Sequence, residues 1–328
     1  MVEFTAVGVQ RQLASGIQRR TLAVWLAIVV ASSSGCGLKK VALNSVANSL
    51  AASGAAYGSD DDPELIKAAA PFSLKLVESL LVELPRHRGL LLTACAGFTQ
   101  YAYAFVEGSA DLVKNDDYGS FVRLQDRSRK MYLRARDYCL RSLELKYPGI
   151  GAGLAKNPGT AAALVRKDDV PLLYWTGAAW GKAVSLSLDR PALMGDFPAV
   201  HALTTRALAL DETFDRGALH EVMIALESVP EAMGGSPERA RLHFDRAVTL
   251  SAGASASPFV TFARSVSLPR QERDEFVRLL NQALQIDPAA DLSRQLQNIL
   301  AHDQARFLLE HLDDLFLPAE TSSRTRRE

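Results

Sequence analysis

Asp168-Asp169-Val170-Pro171-Leu172-Leu173-Tyr174-Trp175-Thr176-Gly177-Ala178-Ala179-Trp180-Gly181-Lys182-Ala183 is the stretch on which the fold turns. Asp169 stands where a helix N-cap would, and Pro171 occupies a first-turn position where its missing N–H costs nothing. The pattern therefore predicts a helix beginning here. Leu173, Gly177 and Trp180 fall at i, i+4 and i+7, so one face carries a small residue between two large ones. Such a face admits a partner helix closely, as the first helix of a helical hairpin does. The stretch holds no base, nucleophile or phosphate loop, which points to a binding or scaffolding protein before an enzyme.

The 328 residues, 48% of them hydrophobic, supply enough core for one elongated helical domain or two compact ones. Lys plus Arg and Asp plus Glu each number 37, so the overall field gives no reason to expect nucleic acid as a partner. Partners have to be argued locally. At the start of the chain, Arg11, Arg19 and Arg20 precede an apolar run over 22–31, followed by Ser32, Ser33, Ser34, Gly35 and Cys36. That order is a signal peptide over 1–35, with a charged region, a short apolar region and small residues at a cleavage site. The run falls short of the about 20 apolar residues that a spanning helix needs. Ser34-Gly35-Cys36 resembles the end of a bacterial lipobox, with Ser33 where a leucine is commonest, and makes Cys36 the expected lipidation site. Several acyl chains on one cysteine hold a protein stably where one chain does not. Gly37 rather than Asp after the cysteine resembles lipoproteins sent to the outer membrane.

Residues 36–59, rich in Ala, Ser, Asn and Val, read as a lipidated tether. Asp62-Pro63-Glu64 then combines an N-cap, a first-position proline and an early acid. The apolar stripe of this helix continues through Phe72, Leu76 and Leu80 after Pro71 breaks or kinks its first turns, and ends near Leu84-Pro85. Two long helices follow at about 90–114 and 118–146, joined by the turn Asn115-Asp116-Asp117. Arg123, Arg127, Lys130, Arg134 and Arg141 share one face of the second, a basic stripe expected to be solvated. The Gly-rich connection after Tyr147-Pro148-Gly149 reads as linker. Beyond the Trp-bearing helix, helices are expected over about 196–210 and 213–226. Met233-Gly234-Gly235-Ser236-Pro237-Glu238 is a stop and restart, and a last helix covers about 291–316. Residues 318–328 read as a polar tail.

Ala240, Phe244 and Ala247 carry the four-and-three spacing of the second helix of a tetratricopeptide repeat, and Ala283 followed by Pro288 echoes its end. With Leu173, Gly177 and Trp180 as the first-helix half, the reading is all-α: a degenerate tetratricopeptide-like stack of hairpins, an α-solenoid, over 60–317. Cys95 and Cys139 are expected to be buried free thiols. A hairpin turning near Asp116 and Asp117 would also bring them to one level, which leaves a disulfide open in an oxidising compartment.

Asp62-Pro63-Glu64-Leu65, Tyr101-Ala102-Tyr103-Ala104-Phe105, Leu133-Arg134-Ala135-Arg136-Asp137-Tyr138, the segment from Leu173 to Trp180, Arg206-Ala207-Leu208-Ala209-Leu210-Asp211, Gly217-Ala218-Leu219-His220-Glu221, Met233-Gly234-Gly235-Ser236-Pro237, His243-Phe244-Asp245-Arg246-Ala247 and Asp313-Asp314-Leu315-Phe316 run through nearly all of the mature chain. Together they resemble the T-component, the accessory lipoprotein, of tripartite ATP-independent periplasmic (TRAP) transporters. The resemblance implies a periplasmic, tetratricopeptide-like lipoprotein that associates with the transporter's substrate-binding protein, the P-component. It also implies a hydrophobic cleft or pore for a small ligand, and a chain that can form homo-oligomers.

His220-Glu221 begins like a zinc-protease helix, but Ile224 stands where the second histidine would be, so no metal site is expected there. The other histidines are dispersed and no Gly-x-Ser-x-Gly elbow occurs, so no enzyme is expected and no cofactor. Two binding classes remain. One is a transport accessory protein whose cleft holds a small, partly apolar organic acid, with Tyr101, Tyr103, Tyr174, Trp175 and Trp180 as candidate walls. The other is a scaffold for envelope protein assembly in which the same aromatics are ordinary core.

Overall fold

A computed structural model describes residues 43–50, 55–187 and 189–317. The signal peptide at 1–35, Cys36, part of the tether and the tail at 318–328 lie outside the described residues. Two compact units divide the chain, Met1–Ser49 and Leu50–Glu328. In the first, residues 43–49 are helical; the second is all-α, with no strand among its described residues.

Helix α1 (Pro63–Glu83) starts as its residues dictate, with Pro63 in the first turn and the Asp62 side chain accepting the Leu65 N–H at 3.0 Å. It runs through Pro71 without the expected break. An interior proline costs about 3 kcal/mol. Burial of Ile66, Leu74, Val77 and Leu81 on one face stabilises by roughly 1.5–3 kcal/mol each, enough to outweigh it. Helix α2 (Arg88–Tyr101) continues through a π-helical turn (Ala102–Glu107) into Gly108–Val113, and α3 (Tyr118–Glu144) packs back along it with Asp117 as its N-cap. Cys95 and Cys139 are fully buried and disulfide-bonded, with Cα atoms 5.5 Å apart. The expectation of free thiols gives way because the hairpin turn does set the two cysteines level and their side chains share one groove.

The stretch read as linker is instead two short helices, α4 (Ile150–Lys156) and α5 (Pro158–Ala163). Buried Ile150, Leu154, Ala161 and Ala162 hold them down, and Asn157 ends the first while its side chain accepts from Thr160 N–H to start the second. Helix α6 (Val170–Ser185) carries the tryptophans, but Asp169 does not cap it. The Asp169 carboxylate turns inward to Arg88 at 2.5 Å, Tyr147 at 2.6 Å and Lys146 at 2.7 Å. Burial pushes its pKa up, and these partners outweigh burial and leave it lowered.

Helix α7 (Phe197–Leu210) packs against α6 at the small position read from the sequence. A Cβ on Gly177 would lie 2.5 Å from Thr204 Oγ1. Gly177→Ala gains about 1 kcal/mol of helix propensity but forces two packed helices apart, and overpacking costs about 1–3 kcal/mol. The variant is expected to melt lower than the wild type, and Thr204→Ala in the same chain to restore part of the loss. A higher melting temperature for Gly177→Ala alone would contradict this contact.

Helix α8 (Ala218–Glu227) starts later than expected, because Asp215 and Arg216 adopt positive φ values of 43° and 50° in the turn before it. Helix α9 (Pro237–Leu250) begins as read, with Ser236 accepting the Arg239 N–H at 3.2 Å and Pro237 in the first turn. Helix α10 (Ser257–Phe262) passes into a second π-helical turn (Ala263–Ser267), followed by α11 (Arg273–Leu284) and α12 (Gln295–Glu310). The last helix starts after 291 because the Asp291 side chain caps a separate 3-10 turn, Leu292–Arg294. Phe244, Phe262, Phe276, Leu279 and Leu280 pack with Ala240, Ala283, Ala301 and Ala305 into one core that joins α9 to α12.

The segment Arg88–Val113 is long and apolar enough to cross a bilayer. It is a core helix here: α1, α3 and α6 all pack on it, and its disulfide ties it to α3.

Candidate functional site

Both π-helical turns contribute to one interior region. In the first, the Gly108 N–H bonds to the Tyr103 carbonyl five residues back; in the second, the Leu268 N–H bonds to Ala263 at 2.9 Å. A π turn interrupts the α-helical register and is frequent at functional sites. Arg264, on the second turn, donates to Asp111, just past the first, at 2.8 Å.

Around that bridge, side chains from five segments converge. Tyr132 on α3 donates to Glu107 at 2.5 Å, and Lys182 on α6 pairs with the same carboxylate. The Lys182 ammonium also lies 5.3 Å from the centre of the Tyr103 ring. Ala102, Tyr132 and Ala183 form a small buried floor beneath these groups. On the other flank, Glu221 of α8 accepts from Ser257 and, at 3.1 Å, from Thr261. Ser257, Thr261 and Arg264 stand at i, i+4 and i+7, a polar stripe on a helix otherwise rich in Phe, Val and Ala.

Tyr103 keeps 39% of its surface accessible, yet burial raises its hydroxyl pKa strongly; Arg264 opposes that rise, and Glu221, Glu107 and Asp111 add to it. Half-buried Tyr174 behaves alike, raised first by burial and then by Glu221 and Asp215. Neither hydroxyl has a hydrogen-bond partner among the described residues. Burial also raises the Glu221 carboxyl, against the pull of its two hydroxyl partners. Its Oε2 takes no hydrogen bond from a described residue and is not sealed off.

The structure brings Tyr103 and Tyr174 into each other's electrostatic field. Trp175 joins them through Tyr174, whose ring meets it edge-on at 4.8 Å and meets Phe214 at 5.3 Å. Tyr101 is half-buried, its ring tilted against that of Phe105 at 5.5 Å. Trp180 lies against other groups: its Nε1 donates to Asp196 at 2.9 Å and the Arg136 guanidinium sits 5.2 Å over its ring. Sequence reading missed Glu107, Lys182, Glu221 as a site residue, and Arg264. The 257, 261, 264 polar stripe was the one signal for the last of these.

The basic stripe on α3 is largely exposed, and three of its cations have local partners. Lys130 pairs with Asp126 at 2.6 Å, Arg134 with buried Glu78 at 2.7 Å, and Arg141 donates to the Pro85 carbonyl at 3.2 Å. A surface depression of about 520 Å³ lies beside it, lined by Pro85, Leu140, Arg141, Leu145 and Gly151 among others, and is open to solvent. It gathers none of the desolvated groups that mark the interior space.

Between α8 and α9, His220 and His243 meet Nδ1 to Nδ1 at 2.8 Å, so one ring must donate and the other accept. Burial lowers both pKa values. His243 lowers His220 further while Glu212 opposes; at His243 Glu227 opposes, and Arg239 and His201 push down. Below the ordinary value of 6.5 the unfolded chain takes up protons that the folded pair refuses. Stability present above that value is then lost as pH falls toward the folded values. The melting temperature is expected to drop between about pH 7.5 and 5.5, with a shallower drop in His243→Gln. Equal slopes for the two proteins would contradict the assignment.

Fold and site together define an all-α protein in which aromatic rings and a few desolvated polar groups from several helices cluster. Residues 59–316 match the family TRAP transporter T-component, and the chain belongs to that family. It is also similar to an "uncharacterized protein" of Treponema pallidum (strain Nichols), 30% identical over 302 residues that cover 86% of this chain and 94% of that one. Membership gives the chain a role in a TRAP transport system.

Proposed function

We propose that this chain is a periplasmic accessory component that docks on the substrate-binding protein of its TRAP system and holds or passes a small organic ligand in the interior space. The observation that carries the reading is the set of desolvated groups without protein partners, the Tyr103 and Tyr174 hydroxyls and Glu221 Oε2. An occupant that bonds to these groups supplies the hydrogen-bond partners that no described residue gives them. An accessory transport role is the one that family membership supports. The tetratricopeptide-like stacking read from Ala240, Phe244 and Ala247 supplies the surface for the protein partner.

Native mass spectrometry of protein from its own host tests this. A retained small molecule supports the cleft, whereas ligand-free protein bound to a partner chain supports a pure scaffold.

Lipid on Cys36 would hold the protein to the outer membrane. Cys36→Ala is then expected to move it from the membrane to the soluble fraction. A variant that still sediments with membranes after a salt wash would refute the anchor.

A further inference from the structure

Rested on the reading of the interior space as a ligand site, a finer assignment follows from its charges. Each cation around the space already has an acid: Lys182 pairs with Glu107, Arg264 with Asp111, Arg294 with Asp215 and Arg216 with Asp291. Glu221 is the acid left over. Its Oε1 is saturated by Ser257 and Thr261, both uncharged, and its Oε2 is open.

The neighbours of Glu221 are aromatic. Tyr174 lies close enough for the Glu221 charge to be the largest electrostatic influence on its hydroxyl, and Trp175 and Phe214 pack on its ring. No described cation lies over Tyr174, although Lys182 does lie over Tyr103. A ring face beside an unpaired carboxylate attracts a positive group through its quadrupole.

We propose that the ligand of this space carries a protonated amine, received by Glu221 Oε2 against the aromatic wall of Tyr174, Trp175 and Phe214. The ligand is thus a cationic or zwitterionic amine, not a simple carboxylic acid. An incoming carboxylate would have to displace Glu107 or Asp111 from cations they already hold. An ammonium displaces nothing and gives a buried carboxylate the partner it needs. Burial raises the Glu221 pKa against the pull of Ser257, Thr261 and the nearby Arg294 guanidinium, which is itself paired with Asp215 and Asp291.

The test uses the purified full chain and three probes of one shape, pentylammonium, pentanoate and 1-pentanol, titrated by calorimetry and by tryptophan fluorescence at neutral pH. Pentylammonium is expected to bind at least about tenfold more tightly than pentanoate, a difference of about 1.4 kcal/mol. Glu221→Gln, whose side-chain carbonyl still accepts from Ser257 and Thr261, should abolish that preference and leave 1-pentanol unchanged. Tyr174→Leu should weaken pentylammonium several-fold. Pentanoate binding as tightly as pentylammonium overturns the proposal, as does pentylammonium affinity that survives Glu221→Gln. If Glu221→Gln does not fold, the order of the three probes on the wild type decides. Binding of 1-pentanol and pentanoate without pentylammonium keeps the ligand space and removes the amine; binding of none removes both.

Discussion

Cys95→Ala with Cys139→Ala is expected to lower the unfolding free energy by about 4 kcal/mol, the chain-entropy value for a closed loop of this size. The bridge spans 44 residues of sequence, the whole turn from α2 to α3, and both sulfurs are buried. It ties the helix that carries Tyr103 and Glu107 to the helix that carries Tyr132, so it also fixes one wall of the interior space. In an oxidising compartment, where the proposed export would take the chain, such a bridge persists. Urea unfolding of the oxidised wild type and the double variant measures the loss, and non-reducing peptide mapping identifies the linked pair. Alkylation of both thiols in denatured, unreduced protein would show that the bridge does not form.

The second large effect belongs to Trp180. Truncation of a buried tryptophan costs about 3–5 kcal/mol, and Trp180→Ala also strips Asp196 of its indole donor and Arg136 of the ring it covers. A fall in stability of that size is expected, with little change in ligand affinity, because Trp180 serves the junction of α3, α6 and Asp196 and not the Tyr103 and Tyr174 walls. A neutral effect on melting would show that the contact does not bear on the fold.

Legibility in the sequence followed the physics of each signal. Helix starts written in local chemistry were readable: Asp62-Pro63 and Ser236-Pro237 act within one turn of the chain, and the structure places both as read. Gly177 was readable too, since close approach leaves no substitute for a missing side chain. Asp169 was misread because a carboxylate at a helix start can cap or turn inward, and only the arrival of Arg88 from a distant helix decides. The Gly-rich connection was misread because Ile150 and Leu154 are too few to show a helical period and yet enough to be buried. The π turns leave no compositional mark.

For the site, the Leu173, Gly177 and Trp180 row marked Trp180 as a packing residue, and its indole does bond to Asp196 apart from Tyr103 and Tyr174. Which of the other aromatics approach one another depends on rotations about helices that spacing leaves free. Glu221 and Arg264 were hidden for another reason: a charged residue reads as solvated until the structure shows what surrounds it.

The central claim is that Tyr103, Tyr174 and Glu221 wall a space that a small molecule fills. A crystal structure of the protein taken gently from its own host measures this most directly. The account predicts density for a small molecule within hydrogen-bonding distance of the Tyr103 and Tyr174 hydroxyls and of Glu221 Oε2. Side chains closed on one another, with those three groups bonded to protein and no room between them, would contradict it.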